Sequence, residues 1–164
     1  MATREIMVKR FTLTSKKPFA EVLAAIDLQI GHPDMRGFGA ALTGARTIDE
    51  ARDVVNGATS SIGLMEFARF DLGMVLRKEM GESAPRVVRI VAGNPMIMKE
   101  MVKHVHDAGS YAPVTILVDE RDGGVMVSYD RMESCIATYG SDEALAVARD
   151  LDAKLERVIE GAVG

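Results

Sequence analysis

The sequence has no tryptophan and a single cysteine, Cys135, among its 164 residues. A lone cysteine cannot form an internal disulfide, which excludes the disulfide framework of a small secreted domain. No apolar stretch approaches the roughly 20 residues that a membrane helix needs. The first residues carry charges at Arg4, Glu5, Lys9 and Arg10 and contain no apolar core of a signal peptide. These absences predict a cytoplasmic chain with no membrane partner.

An excess of charge of one sign is also missing. The chain carries 20 basic and 24 acidic side chains, a formal net charge of −4, and has no run of four like charges. Because a nucleic-acid surface needs a concentration of Lys and Arg, we expect no nucleic-acid partner. A chain of this length fits one domain with its own core, so residues 1–164 are interpreted as a single domain.

Well-known catalytic motifs are missing as well. The sequence contains no Gly-Lys-Ser/Thr phosphate loop, no His-Glu-x-x-His zinc motif and no Gly-x-Ser-x-Gly nucleophile turn. Gly37 and Gly39 do not form a dinucleotide fingerprint, since the third glycine is misplaced and the segment does not run from a strand into a helix. These absences lower the expectation of an enzyme without excluding one.

The patterns that are present indicate strands and helices. Strand patterns cover residues 6–14, 63–70, 86–92, 114–120 and 124–129. Helical spacing covers residues 18–30, 47–58, 71–80, 94–106 and 141–159. The last two strands are separated by Arg121, Asp122 and Gly123, which is a hairpin signal. Strands joined by a hairpin favour an α+β fold, with a curved mixed or antiparallel sheet and helices packed on one face.

Residues 32–61 interrupt this order. A proline and three glycines among mostly small residues predict a long loop over residues 32–46. Thr47 to Glu50 form a capping box, which starts a short helix with one apolar face. We interpret residues 32–61 as an inserted loop and helix whose apolar face packs on the domain or on a second copy of it. This face and the eleven methionines suggest a homo-oligomer.

Two segments resemble a known family. The turn Ala92-Gly93-Asn94-Pro95 and the hairpin from Val118 to Tyr129 are similar to those of the prokaryotic family catalogued as domain of unknown function 302. The resemblance runs from about Gly63 to Val163. It implies helices on one side of a curved sheet, similar to the TATA-binding-protein-like architecture, and it implies no established reaction. Tyr139 stands where members of the family carry a histidine, so no role of that histidine is carried over.

The Gly93-Asn94-Pro95 turn is the best candidate for a ligand site. Glycine permits the close approach of a ligand, and the helix start behind it offers N–H groups that suit an anion. Capping by Asn94 explains the same residues and is the simpler interpretation. Tyr129 ends a strand and Tyr139 precedes a helix, and their hydroxyls could add polar groups to an apolar cleft. We therefore expect a small-ligand-binding module.

A haem or copper protein is the alternative interpretation. Met101 and His104 lie three residues apart and offer a thioether and an imidazole, and His32 and His106 are the other two histidines. At about 100° per residue, His104 and His106 are about 160° apart and cannot bind one ion from a single helix. An enzyme that uses Cys135 or a tyrosine is the third interpretation, although no histidine near Cys135 in sequence could activate the thiol.

Overall fold

A computed structural model describes residues 3–164 of the chain. The strands are β1 (Arg10–Ser15), β2 (Met65–Asp71), β3 (Val87–Gly93), β4 (Val114–Arg121) and β5 (Gly124–Asp130). The α-helices are α1 (Phe19–Asp27), α2 (Met35–Gly44), α3 (Ile48–Ala58), α4 (Gly73–Met80), α5 (Pro95–Val102), α6 (Met132–Ile136) and α7 (Asp142–Val163). Short 3-10 turns lie at Gly81–Ser83, His106–Ser110 and Ala137–Tyr139.

The strands form one antiparallel sheet in the order β1-β5-β4-β3-β2. β4 and β5 are the predicted hairpin, in which Arg121 pairs with Gly124 across a two-residue turn of Asp122 and Gly123. Gly124 has φ +126°, and a Cβ at this position would lie 2.3 Å from the carbonyl oxygen of Ser15. The close approach of β1 to the hairpin therefore requires glycine at this position.

The core lies between one face of this sheet and helices α1, α5 and α7. Alternate residues of the three central strands are buried on that face, namely Val88, Ile90, Ala92, Val114, Ile116, Val118, Val125, Val127 and Tyr129. α7 contributes the predicted apolar stripe, which includes Ala144, Ala148, Leu151, Leu155, Val158 and Ile159. On the opposite side of the sheet, called the outer face below, Thr12 and Arg89 are exposed. The predicted α+β fold with helices on one face is confirmed, and the sheet is antiparallel.

The predicted loop over residues 32–46 is wrong, because most of it forms α2. Asp34 caps this helix, since its side chain accepts the backbone N–H of Gly37. The three glycines of α2 favoured a loop in the sequence pattern, because each costs about 1 kcal/mol relative to alanine inside a helix. Tertiary packing offsets this cost.

Helices α2 and α3 form a small second core against the start of β2. Phe38 of α2, Val55 of α3 and Met65 of β2 are buried together. Apart from Ile48, which is 49% exposed, the apolar face of the helix from Thr47 to Asn56 is thereby covered within its own chain. This face gives no further support to a contact with a second copy, so the predicted homo-oligomer needs another surface.

The boundaries of β1 and α5 differ from their sequence patterns. Strand pairing begins at Arg10 rather than at Ile6, and α5 ends at Val102, before the two histidines that the pattern included. The sequence pattern does not indicate α6, whose first N–H groups donate to the buried carboxylate of Asp152 in α7. No helix among residues 3–164 is both long enough and apolar enough to cross a bilayer.

Candidate functional site

A β-bulge in β2 shapes the region around the predicted ligand turn. The register pairs Glu66 with Ala92 and Ala68 with Val91, which leaves Phe67 as an extra residue without a partner. A bulge of this kind turns one side chain out of the alternation of its strand. Phe67 thereby forms one wall of a cavity at the end of β3 and the start of α5.

Asn94 is the cap of α5. Its Oδ1 accepts the backbone N–H groups of Met96 at 2.7 Å and of Ile97 at 3.4 Å. Its Nδ2 donates to the carbonyl oxygen of Gly63 at 2.8 Å. Pro95 has no N–H group, so the N–H groups that the first turn of α5 could offer to an anion are already bonded. The simpler interpretation of this turn, capping by Asn94, fits these contacts.

A cavity of about 100 Å³ lies beside this turn. Its walls are Phe67, Gly93, Asn94, Pro95, Met98, Met101, Ala112, Pro113, Val114 and Leu151. A Cβ on Gly93 would lie 3.3 Å from the Cβ of Pro113 and 3.6 Å from Cε2 of Phe67. The absence of a side chain at Gly93 therefore leaves part of this space open.

The chemistry of the walls is almost entirely apolar. No titratable side chain among residues 3–164 lines the cavity, so its walls offer no general acid, general base or charged anchor. Met98 and Met101 supply polarisable thioethers and Phe67 supplies an aromatic ring, which together suit a compact apolar molecule. Met98 is half-buried and Pro113 is exposed, so the cavity lies close to the surface on that side.

The two tyrosines that the sequence grouped with this turn do not line the cavity. Tyr129 is 2% exposed, and its hydroxyl donates to the carboxylate of Glu156 at 3.1 Å. Burial, reinforced by the charges of Asp152 and Glu156, raises the pKa of Tyr129. The hydroxyl of Tyr139 shares a hydrogen bond of 2.8 Å with the hydroxyl of Tyr111, and this bond raises the pKa of Tyr139 to about 12. Of the four predicted ligand-binding residues, Gly93 and Asn94 line the cavity and the two tyrosines do not.

Cys135 lies beside a separate cavity of about 230 Å³. The other walls of this cavity are Val8, Tyr111, Val114, Thr115, Asp130 and Met132, so no histidine of residues 3–164 lines it. Burial, reinforced by the charge of Asp130, raises the pKa of the Cys135 thiol. A nucleophilic cysteine needs a lowered pKa, so these surroundings favour an inert thiol.

The residues of the haem or copper hypothesis are dispersed. Met101 is fully buried in the main core and lines the cavity beside Asn94. His104 and His106 are exposed and lie beyond the end of α5. The cavity, at about 100 Å³, is also far too small for a haem. Met101 and the two histidines therefore do not form a preformed site for haem or copper.

His32, the remaining metal candidate, belongs to a charged cluster with Asp27, Glu66 and Arg69, which we call the Arg69 cluster. The Nδ1 of His32 lies 3.7 Å from Oε2 of Glu66, and its Nε2 lies 3.9 Å from Oδ1 of Asp27. Ligand atoms of these three residues lie within 4.8 Å of one another, a spacing that could hold a metal ion. The guanidinium of Arg69, however, already bridges both carboxylates. Because a metal ion would have to displace Arg69, we interpret the cluster as a link between α1 and β2.

The bulge also explains why the sequence did not indicate the Arg69 cluster. Glu66 and Arg69 are three residues apart, and in a regular strand such residues point to opposite faces. With Phe67 as the extra residue, Glu66 pairs with Ala92 and Arg69 pairs with Ile90, so both lie on the face of the core. Hydrogen bonding to Asp27 is the main cause that raises the pKa of Arg69.

Comparison with known proteins agrees with this architecture. The family model described as domain of unknown function DUF302 matches residues 40–162. The match begins inside α2, so it includes most of the segment that the sequence suggested was inserted. The crystal structure of an uncharacterized conserved DUF302 protein from Bacillus stearothermophilus is similar over 93% of this chain and 97% of that chain, with a TM-score of 0.65 and 10% identity. At that identity the similarity shows the fold alone. No curated protein matches the sequence.

Proposed function

Because the chain belongs to the family described as domain of unknown function DUF302, whose description names no activity, we propose from its own geometry that it is a binding module for a small, uncharged, apolar molecule. The observation that carries the proposal is the cavity beside Asn94, whose walls offer contact surface without a charged or reactive group. Such walls gain affinity by removing apolar surface from water. They support binding rather than catalysis, because they contain no group that transfers a proton or attacks a bond.

The volume of the cavity limits the size of the ligand. A dry apolar cavity of about 150 Å³ binds benzene, and this cavity measures about 100 Å³. A ligand of about four non-hydrogen atoms therefore fits without rearrangement of the walls. At a ceiling of about 1.5 kcal/mol per non-hydrogen atom, such a ligand gains at most about 6 kcal/mol, which corresponds to a dissociation constant of about 40 μM or weaker.

Xenon and benzene are the probes that test this proposal. The NMR shift of dissolved xenon-129 reports entry of a single apolar atom, and thermal unfolding in the presence of benzene reports a larger guest. Benzene at about ten times its dissociation constant should add about 1.4 kcal/mol to the free energy of unfolding. For a chain of this length, that gain raises the melting temperature by about 4 °C.

Two glycine substitutions provide a matched comparison. Gly93→Ala places a methyl group against Pro113 and Phe67, and it should weaken xenon binding about ten-fold, the usual effect of one methyl group in a small apolar pocket. Gly39→Ala adds the same methyl group to α2, where no atom outside its own helix lies within 4 Å of it, and should leave binding unchanged. Met98→Ala should instead tighten benzene binding, because it removes a side chain from the wall.

Each outcome of these titrations has a definite meaning. Equal xenon binding by the wild-type and Gly93→Ala proteins would locate the guest elsewhere and refute the proposal. Absence of both probes from the wild-type and Met98→Ala proteins would identify the cavity as a packing defect with no ligand. Xenon binding that is about ten-fold weaker in Gly93→Ala, with Gly39→Ala unchanged, is the result that we expect.

A further inference from the structure

The cavity beside Cys135, which we call the Cys135 cavity, lies where β4 begins and β5 ends. Its volume of about 230 Å³ is more than twice that of the cavity beside Asn94. Val114 and Met132 form its inner end, since they are 3% and 1% exposed, whereas Val8 is 45% exposed. The cavity therefore reaches from the surface beside Val8 down to the edge of the core.

The walls of the Cys135 cavity have an apolar part and a polar part. Val8, Val114 and Met132 offer apolar contact surface, whereas Thr115 and Asp130 offer a hydroxyl and a carboxylate. The cavity of the proposed function has no titratable side chain in its walls. Because hydrogen-bonding groups fix the orientation and identity of a ligand, the two cavities suit molecules of different chemistry.

Thr115 and Asp130 face each other across the hairpin. Ile116 pairs with Tyr129, so the same register places Thr115 opposite Asp130, one residue further along each strand. Ile116 and Tyr129 point into the core, and neighbouring residues of a strand point to opposite faces, so Thr115 and Asp130 stand on the outer face. The Cβ atoms of such a pair are about 5 Å apart. One small polar group can therefore contact both side chains.

Both side chains keep hydrogen-bonding capacity. The carboxylate of Asp130 accepts Nε of Arg10 at 2.7 Å and Nη2 of the same arginine at 3.0 Å, and a carboxylate has about four acceptor sites. The hydroxyl of Thr115 accepts Nη2 of Arg89 at 3.3 Å, which leaves its own proton for a further acceptor. A ligand hydroxyl is both a donor and an acceptor, so it can donate to Asp130 and accept from Thr115.

The charges around this pair favour an uncharged ligand. Arg10 already neutralises Asp130, and the guanidinium of Arg89 lies beside Thr115, so a cationic ligand gains little attraction here. An anionic ligand would lie against the carboxylate of Asp130. An uncharged hydroxyl avoids both repulsions, and it loses less hydration than a charged group does on entering the cavity.

We propose that the Cys135 cavity binds a small uncharged phenol or alcohol, whose hydroxyl lies between Asp130 and Thr115 and whose apolar body contacts Val114 and Met132. An apolar cavity of about 150 Å³ holds benzene, so about 230 Å³ holds about nine non-hydrogen atoms. p-Cresol, a methylated phenol, is within this size. Cys135 serves only as part of the wall, in agreement with the raised pKa of its thiol.

An NMR titration of the full chain with p-cresol tests this proposal, because amide shifts at Val114 and Thr115 locate the ligand as well as report its affinity. Toluene is the matched probe without a hydroxyl. It should bind at least about ten-fold more weakly, the usual effect of a lost hydrogen bond to a charged group. Benzylamine and benzoate should also bind more weakly than p-cresol, since each carries a charge.

Two carboxylate substitutions separate the proposed site from a general surface effect. Asp130→Asn keeps the shape of the side chain and removes its charge, so it should weaken p-cresol binding about ten-fold and leave toluene binding unchanged. Asp71→Asn is the matched control, because Asp71 also pairs with an arginine and is 48% exposed, against 43% for Asp130. It lies on β2, which β3 and β4 separate from β5, and should leave both affinities unchanged.

Two further variants separate the two cavities. Cys135→Met lengthens a side chain of the wall and should weaken p-cresol and toluene alike by about ten-fold, because it fills part of the space. Gly93→Ala alters the cavity beside Asn94 and should leave p-cresol binding unchanged, so the failure of one site is distinguishable from the failure of the other. Circular dichroism of each variant checks that the fold is retained.

Four results would overturn the proposal. The first is a wild-type protein that does not bind p-cresol up to about 10 mM, a limit that includes very weak complexes. The second is toluene, benzylamine or benzoate binding as tightly as p-cresol. The third is p-cresol binding that Asp130→Asn and Cys135→Met leave unchanged. The fourth is an equal loss of p-cresol binding in Asp71→Asn and Asp130→Asn.

Discussion

The amide nitrogen of Asn94 donates to the carbonyl oxygen of Gly63 over 2.8 Å. In the same side chain, Oδ1 accepts the backbone N–H of Met96 over 2.7 Å. One amide therefore caps α5 and ties it to the turn before β2. Because Gly93 and Asn94 form part of the cavity wall, the same contacts fix the geometry of the proposed binding site.

Substitution of Asn94 should separate these two contacts. Asn94→Ala is expected to lower the free energy of unfolding by about 2 kcal/mol, since the cap contributes about 1 kcal/mol and the second hydrogen bond about 1 kcal/mol. Asn94→Ser keeps a capping hydroxyl but cannot reach Gly63, so it should lose about 1 kcal/mol. Urea unfolding measures both values. Equal stability of the two variants would mean that the cap contributes nothing, and wild-type stability of Asn94→Ser would mean that the bond to Gly63 contributes nothing.

The Arg69 cluster gives a second stability prediction. Arg69→Met should lower the free energy of unfolding by about 2 kcal/mol, because it leaves the carboxylates of Asp27 and Glu66 without a shared cation. The loss should stay below the roughly 3–5 kcal/mol of a fully buried pair, since the Arg69 and Asp27 side chains are 29% and 37% exposed. Unfolding in urea measures the free energy of unfolding of each variant, because urea, unlike guanidinium chloride, adds no salt that screens the ion pairs. The measurement is repeated at two ionic strengths.

Arg52→Met is the matched control for Arg69→Met. Arg52 pairs with Asp49 on α3, and these side chains are 49% and 79% exposed. An exposed pair three residues apart on a helix contributes about 0.5 kcal/mol or less. If both variants lose the same free energy, the Arg69 cluster is screened by solvent like an ordinary surface pair, and our interpretation of it as a structural link fails.

Asn94 and the Arg69 cluster show which parts of the fold and of the candidate site the sequence predicts. The cap at Asn94 and the hairpin turn at Asp122 and Gly123 depend on neighbours within a few residues, so residue type and spacing predicted both. The bulge at Phe67 depends on the register between β2 and β3, which no local pattern fixes. The cavity wall formed by Phe67 and the shared face of Glu66 and Arg69 both follow from that bulge. For this reason the candidate site was predicted only in part.

Tyr129 gives a pH-dependent prediction about the core. Burial raises its pKa above the value of about 10 in an unfolded chain. The folded state therefore holds the phenolic proton more tightly, and the resulting stabilisation is complete below about pH 10 and is lost as pH rises further. We expect Tyr129→Phe to leave the alkaline titration of the folded protein unchanged and to flatten the loss of stability above pH 10.

Absorbance near the band of ionised tyrosine measures this titration, and the absence of tryptophan from the sequence keeps the signal simple. Tyr139→Phe is the comparison variant, because the pKa of Tyr139, about 12, places the ionisation of this side chain within the accessible pH range. It should remove a step near that pH from the titration of the folded protein. A step near pH 10 that disappears in Tyr129→Phe would show that the Tyr129 hydroxyl is not buried in solution.

Gly39 tests the helix that replaced the predicted loop. In a helix interior, alanine is favoured over glycine by about 0.5–1 kcal/mol, and the added Cβ at position 39 meets no atom outside its own helix within 4 Å. Gly39→Ala should therefore raise the free energy of unfolding by this amount and slow amide hydrogen exchange along α2. Gly31→Ala should lower the free energy of unfolding, because its Cβ would lie 2.1 Å from the carbonyl oxygen of Ala58. Exchange along α2 at the rate of an unfolded chain in both wild-type and Gly39→Ala proteins would contradict this helix, and with it the burial of Met65 under Phe38.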